Sequence, residues 1–536
     1  MSLRASHDVN VAGVRQLLSS PAMIAALGCV LLGSIDLTVV ASILPGMIGD
    51  LGVNTADIDR YIWAVNGYLI AYIVAIPLIG RVSDLIGRQR TFLISLMIFL
   101  VGSLLCATAD TLGDLIVGRA VQGFGGGGLL PVAIALAGDT LGRRGQLAGI
   151  GFVSAVETIG WILGPIYGAA VTTIFGSADE PWRWVFWLNI PILLGLMVFL
   201  RNFTSATRTK ITGFWRHLDV PGCLLLTVAL VAANLALASG GEFGATTGTG
   251  IRAMGGTHNP LSSQIPILLT IAVVAVILLV VWERHTISPL LPVALYRVRP
   301  FRATIVANLC VGAVLMVTMV NIPVITALTS EGEDVAILSA LLLAPYTVAV
   351  ATSSLMATRI GLRFGERRSL IAGVLLTACG AALVAVLQDQ SNHWTLLPGL
   401  IVGGFGTGLL LPALGTIPIM IASASERGAA ASSALMFRLL GMTVGVSALT
   451  SLAVRRLQSL SNQVEPIIRT PDETTASFLA RQQTFILEHA IPLSVQVIEE
   501  TFLVAAVIAL LMLVPLRALG TFLDNEIGAE ARSPGG

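Results

Sequence analysis

Gly80-Arg-Val-Ser-Asp84-Leu-Ile-Gly87-Arg88-Gln-Arg90 is a short polar turn set between two long apolar runs. Its glycines permit a tight turn, and an acid beside several arginines can make charge-assisted bonds or sit at a helix N-terminus. An ordinary basic loop needs the arginines but neither Asp84 nor both glycines at this spacing. A degraded copy returns later as Thr358-Arg-Ile-Gly-Leu362-Arg-Phe-Gly365-Glu-Arg-Arg368, with Leu362 where the acid stood. The turn therefore belongs to an internal repeat, and the apolar runs on either side of it are the repeated material.

Those runs dominate the chain. Of 536 residues, 55% are hydrophobic and only 11% charged, and the mean hydropathy is +0.87. That is too little polar surface to cover a soluble globule of this length. Since a helical span takes about 20 apolar residues, about fourteen spans fit, near 22–44, 60–80, 91–109, 114–138, 147–171, 183–201, 219–240, 264–282, 303–327, 335–357, 369–388, 397–422, 427–451 and 498–520. The fold class expected is all-α and integral to the membrane. The first run continues through Pro45 with no small-residue cleavage site, so it reads as a retained span rather than a signal peptide.

An even count puts both termini on one side. Most Lys and Arg then fall in the loops of that side, while Arg60, Arg183, Arg252, Arg455, Arg456, Arg469 and Arg481 fall opposite. The positive-inside bias makes the termini cytoplasmic, in a multi-pass protein of the inner or plasma membrane. The two repeat loops lie eight spans apart, where a plain six-plus-six repeat has six. The expected organisation is a cytoplasmic tail (1–21), a six-helix bundle (22–201), two inserted helices (219–282), a second six-helix bundle (303–520) and a cytoplasmic tail (521–536). A polar, amphipathic segment at 452–497 reads as an external hairpin projecting from the last two spans, or else as a solvated loop.

Four charges lie inside apolar runs: Asp36, Arg119, Glu157 and Arg438. A charge at membrane depth costs at least about 2.5 kcal/mol unless it is paired, near water or neutralised, so each needs a partner or a purpose. Glu157 is either a carboxyl that takes up and releases a proton or a permanently neutral structural acid. Arg438 places a base opposite two acids, as a switchable ion pair or a static one. Around Glu157, Gly151, Gly160, Gly164 and Gly168 punctuate one run; the last three share a helical face that allows close helix approach, and Pro165 bends the helix.

These motifs carry a resemblance. Gly80, Asp84, Gly87, Arg88 and Arg90 resemble the signature loop of the major facilitator superfamily, which implies a cytoplasmic gate; the loss of the acid at Leu362 puts gating in doubt at the second copy. Arg119-Ala-Val-Gln122-Gly123 resembles that superfamily's fourth-span arginine motif, associated there with proton coupling. The glycine and Pro165 pattern resembles its antiporter motif. Asp36 with Thr38 and Pro45 resembles the first-span motif of the fourteen-span drug:proton antiporters, although Ala41 stands where that group usually has asparagine; on this likeness Asp36 is the first choice for a protonatable site. Trp182-Arg-Trp-Val-Phe-Trp-Leu-Asn189 is similar to the same group's entry to the sixth span. Spans 9 to 14 resemble more closely the mycobacterial multidrug and triacylglyceride exporters that work with a lipid-carrying lipoprotein.

The resemblance implies two six-helix bundles plus two inserted helices and a secondary active exporter, in which an amphipathic drug-like or lipid substrate leaves in exchange for protons. A dedicated lipid exporter with an external lipoprotein partner is the alternative, and a non-transport receptor or scaffold is the reading from another class. Enzyme function is not expected, since no nucleophile-base pair, metal cluster or Walker A loop is present. The six histidines lie in loops or tails without ligand spacing, and the five cysteines lie singly in apolar runs as packing residues. The proton gradient replaces a cofactor, and a net charge of +1 gives no reason to expect a nucleic-acid partner.

Overall fold

The computed structural model describes residues 20–51, 58–201, 219–239, 264–286, 289–290, 294–329, 335–389, 392–422, 427–461 and 474–519. The tails and the loops 202–218 and 240–263 lie outside the described residues.

The chain is all-α. Its long helices are α1 (Pro21–Asp50), α2 (Ile58–Ile86), α3 (Arg88–Ala107), α4 (Leu112–Ile174), α5 (Arg183–Arg201), α6 (Val220–Ser239) and α7 (Ile265–His285). There follow α8 (Arg299–Thr329), α9 (Val335–Phe364), α10 (Glu366–Leu387), α11 (Leu397–Ile421), α12 (Arg427–Ser461), α13 (Thr475–Phe485) and α14 (Ile491–Leu511). Among the described residues, twelve helices are long and apolar enough to cross a membrane, with Ile159–Ile174 a shorter apolar stretch. Backbone groups have no water to bond in lipid, so the helix, which satisfies them internally, is the form these runs must take.

The quoted turn ends α2 and starts α3. Gly87 caps α3 at φ 95°, and Gly365 caps α10 at φ 93°. These are the only two glycines with positive φ among the described residues. A side chain would be strained at either, which is why the degraded copy of the turn keeps this glycine while losing its acid.

Where the sequence places separate fourth and fifth spans, α4 is helical over all 63 residues. It starts at a capping box, with Thr111 Oγ1 accepting from Asp114 N–H and Asp114 Oδ2 accepting from Thr111 N–H, both at 3.2 Å. It cannot be straight. Arg119 reaches Asp36 on α1 and the Trp161 carbonyl reaches Thr38, two residues along α1, yet a straight helix would hold Arg119 and Trp161 about 63 Å apart. The two legs also run in opposite senses. Arg119 and Leu129 meet α1 at Asp36 and Gly33, against its direction, whereas Gly160 and Gly164 meet Ser34 and Thr38 along it.

Around this doubled helix pack α1, α2 and α3, and later in the chain α8 packs on α12, α9 on α11, and α10 on α11 and α14. Helices α6 and α7 pair with one another, and α6 also touches α2 and α12. Only 17% of the apolar window of α7 is buried. Its remaining surface is a sheath of Val273, Val276, Ile277, Val280 and similar side chains, which is stable only against lipid.

Candidate functional site

Asp36 sits on α1 and is almost wholly buried. Arg119, on the first leg of α4, places Nη1 2.7 Å from Asp36 Oδ2 and donates through Nη2 to the Asp36 carbonyl at 3.3 Å. Gln122, one turn on, donates to Asp36 Oδ1 at 3.0 Å and accepts from Arg119 Nη1 at 2.8 Å. Asn189 of α5 adds a third donor to the carboxylate at 2.9 Å. Arg119 is held in turn by the Ala64 carbonyl at 3.3 Å and lies over the Tyr68 ring, 4.1 Å from its centre. Buried charges survive when each is paired and most of its remaining bonding capacity is used, and here Asp36 is paired and four of the five Arg119 N–H donors are engaged.

The other two charges form a looser arrangement. Glu157 lies on the second leg of α4 and Arg438 on α12, both buried. Arg438 donates through Nε to Asn308 Oδ1 at 3.1 Å, while the Asn308 amide donates to the Thr304 and Leu414 carbonyls. Close contact of α8 with α12 fixes this place: Gly312 lies against the Arg438 carbonyl, and Gly441 against that of Leu309. Glu157 and Arg438 act on each other through their charges. Among the described residues, however, no ion pair joins Arg438 to an acid. The sequence sets two acids before Arg438; in the fold Asp36 is engaged by Arg119, and Glu157 is the acid within electrostatic reach of Arg438.

The glycines of the second leg explain how α4 approaches α1. A Cβ at Gly160 would collide with Ser34, and one at Gly164 would collide with the Thr38 hydroxyl and stand 2.7 Å from the Ile35 carbonyl. Thr38 itself donates to the Trp161 carbonyl at 3.1 Å. Pro165 and Gly168 are buried beside them. The immediate surroundings of Gly151 and the side chain of Asp84 lie outside the described residues. In the turn, Arg88 donates to Ser83 Oγ at 2.6 Å, Ser83 bonds the Gly80 carbonyl at 2.6 Å, and Arg90 is exposed.

A polar chain that sequence reasoning passes over joins distant parts of the molecule. Asn66 of α2 donates to Ser447 Oγ of α12 at 3.0 Å, and Ser447 donates to Asn234 Oδ1 of α6 at 2.9 Å. All three are buried. Their signal in the sequence is a single amide or hydroxyl in an apolar run, which does not reveal its partner. Farther along, α12 continues to Ser461 and α13 leads into α14, with Arg456 forking onto Glu500 at 2.8 and 3.0 Å. Residues 462–473 of the expected hairpin lie outside the described residues.

Residues 26–446 match the family model of the Major Facilitator Superfamily. A triacylglyceride transporter of Mycolicibacterium hassiacum is 33% identical over 466 residues, covering 84% of this chain and 83% of that protein. One from Mycobacterium tuberculosis strain H37Rv is 30% identical over 476 residues, covering 85% and 88%. Among solved structures, a proton dependent oligopeptide transporter superposes with a TM-score of 0.59 at 13% identity, over 94% of this chain and 99% of that one, a likeness of fold alone. A membrane-spanning helical fold of this kind, with sequence likeness over most of its length, makes the chain a member of the major facilitator superfamily, and its work is membrane transport rather than catalysis.

Proposed function

We propose that this protein is a proton-coupled exporter of a neutral lipid of the triacylglyceride class, working by alternating access. Two six-helix halves rock about a central site, the α6–α7 pair is inserted between them, and both termini face the cytoplasm. The two legs of α4, added to the twelve apolar helices, give fourteen crossings. Relatives covering more than four fifths of the chain carry the name triacylglyceride transporter, which favours a lipid substrate over the drug-like one.

The observation that carries the coupling is the inequality of the two acids. Asp36 has a salt bridge and two amide donors, whereas Glu157 faces Arg438 across the two halves of the chain without an ion pair. A proton site must exchange its partner during the cycle, so Glu157 is the proton carrier and Arg438 the charge that replaces the proton; Asp36 and Arg119 form the fixed frame. Gly80, Asp84, Gly87, Arg88 and Arg90 form the cytoplasmic gate. Gly151, Gly160, Gly164, Pro165 and Gly168 shape the helix that carries Glu157. The Arg456–Glu500 pair marks the base of an external hairpin that delivers lipid to a lipoprotein partner.

The test is transport in proteoliposomes with an imposed pH gradient, using a fluorescent triacylglycerol and a cationic amphipathic dye in parallel. Lipid movement that follows the gradient and loses that dependence in Glu157→Gln is the expected result. Movement of the dye alone would restore the drug-export reading, and indifference of both compounds to the gradient would remove the coupling.

A further inference from the structure

The internal repeat extends to atomic contacts. Gly123 lies against the Tyr68 carbonyl as Gly404 lies against that of Tyr346, and Gly127 against Tyr72 as Gly408 against Val350. Gly102 packs on Gln122 as Gly380 packs on Gly403. One register thus superposes α2, α3 and the first leg of α4 on α9, α10 and α11. In that register Tyr346 answers Tyr68, Leu400 answers Arg119, Gly403 answers Gln122, and Ala381 answers Ser103. The position of the charged cluster exists twice in the fold, and its second copy has lost the arginine and the glutamine.

That second position is not filled. A cavity with about 10 Å³ of room for a water molecule's centre lies there, bordered by Tyr346, Leu400, Gly403 and Ala381, with Val314 and Thr318 of α8 where α1 contributes Asp36. Room of that size suits one water, provided that polar partners surround it. They do. Tyr346 is 2% exposed, and its hydroxyl lies beside those of Thr318 and Thr407 without a hydrogen bond of ordinary length to either. Both threonines donate along their own helices, Thr318 to the Val314 carbonyl at 3.3 Å and Thr407 to that of Gly403 at 2.9 Å; Thr407 Oγ1 also lies 3.4 Å from that of Thr377, and each hydroxyl still keeps a lone pair. Tyr68 differs, because its hydroxyl donates to the Gly33 carbonyl at 3.2 Å.

We infer that the cavity between α8, α9, α10 and α11 is an internal hydration site, in which one water accepts from Tyr346 and donates to the threonine hydroxyls at the place of the Asp36–Arg119 cluster. A buried phenol without a partner is costly, and a water is the one ligand that fits the space and supplies both an acceptor and donors. The C-terminal half thereby satisfies with a neutral molecule what the N-terminal half satisfies with an ion pair.

Radiolytic labelling tests this on the full-length protein in nanodiscs. An X-ray pulse in ¹⁸O-water marks side chains next to bound water, and mass spectrometry reads the oxygen gained at each tyrosine. Tyr346 should take up about fivefold more label than the buried Tyr68, whose hydroxyl is bonded to the Gly33 carbonyl. Gly403→Ala should bring Tyr346 down to the Tyr68 level, since the new methyl occupies the cavity and meets nothing nearer than Gly380 Cα at 3.4 Å. Equal labelling of the two tyrosines in the unmodified protein would overturn the site without recourse to any variant. Label at Tyr346 that persists in Gly403→Ala would place the water elsewhere and also overturn it.

Discussion

Ser447 of α12 stands between two buried amides, accepting from Asn66 of α2 and donating to Asn234 of α6, at 3.0 and 2.9 Å. One hydroxyl thus connects α2, α12 and α6. Ser447→Ala removes it and leaves an amide proton and an amide oxygen buried without a partner. At about 1–3 kcal/mol for each such group, the loss should show as a clear fall in the thermal unfolding midpoint of the purified protein. An unchanged midpoint would mean that the three helices do not depend on this contact.

Asp36 and Arg119 should behave as one unit. Removing either partner of a buried pair leaves an uncompensated charge, and this costs about 3–5 kcal/mol. Asp36→Asn and Arg119→Gln are each expected to lower the yield and thermal stability of folded protein sharply. The double variant, with no charge left over, should recover much of what either single variant loses. Additive losses in this double-mutant cycle would separate the two residues.

Glu157 and Arg438 should show their importance in transport rather than in folding. With Glu157→Gln, lipid exchange at equal pH on both sides is expected to continue, while the gradient-driven component falls by about tenfold or more, a change of ~1.4 kcal/mol in coupling. Arg438→Gln should lose the gradient response in the same assay. If Glu157→Gln abolished equal-pH exchange as well, the residue would be needed for the movement itself and not for its drive.

Gly164 tests the approach of α4 to α1. Gly164→Ala puts a methyl into the Thr38 hydroxyl and should destabilise by about 1–3 kcal/mol, as overpacking does. Gly195 on α5 has nothing within 4 Å of an added Cβ. Gly195→Ala should therefore leave the unfolding midpoint where it was or raise it slightly. Equal effects at both positions would refute the close-packed seam.

Much of this architecture was legible in the sequence because lipid forces a simple code on it. Runs of apolar residues long enough to span have to be helices, and the turn at Gly87 survives as Gly365 because positive φ excludes other residues. Buried charges also announce themselves, since Asp36, Arg119, Glu157 and Arg438 each break an apolar run. Their pairing was not legible. Asp36 meets Arg119 only because α4 doubles back, and which of two acids would face Arg438 depends on that fold rather than on spacing. Gln122 and Asn189 stood within recognised strings, yet their roles as donors to Asp36 depend on three helices converging. The hydration site left still less trace, because Leu400 and Gly403 look ordinary until they are superposed on Arg119 and Gln122.

The link from Ser447 to Asn234 bears on attempts to make a smaller version of this protein. Excising α6 and α7 would expose Ser447 and Asn66 to hydrocarbon in place of their neighbour. A viable truncation needs those two positions rewritten as aliphatic residues in the same step. The α6–α7 pair is thus coupled to the core through two side chains that lie far outside its own sequence.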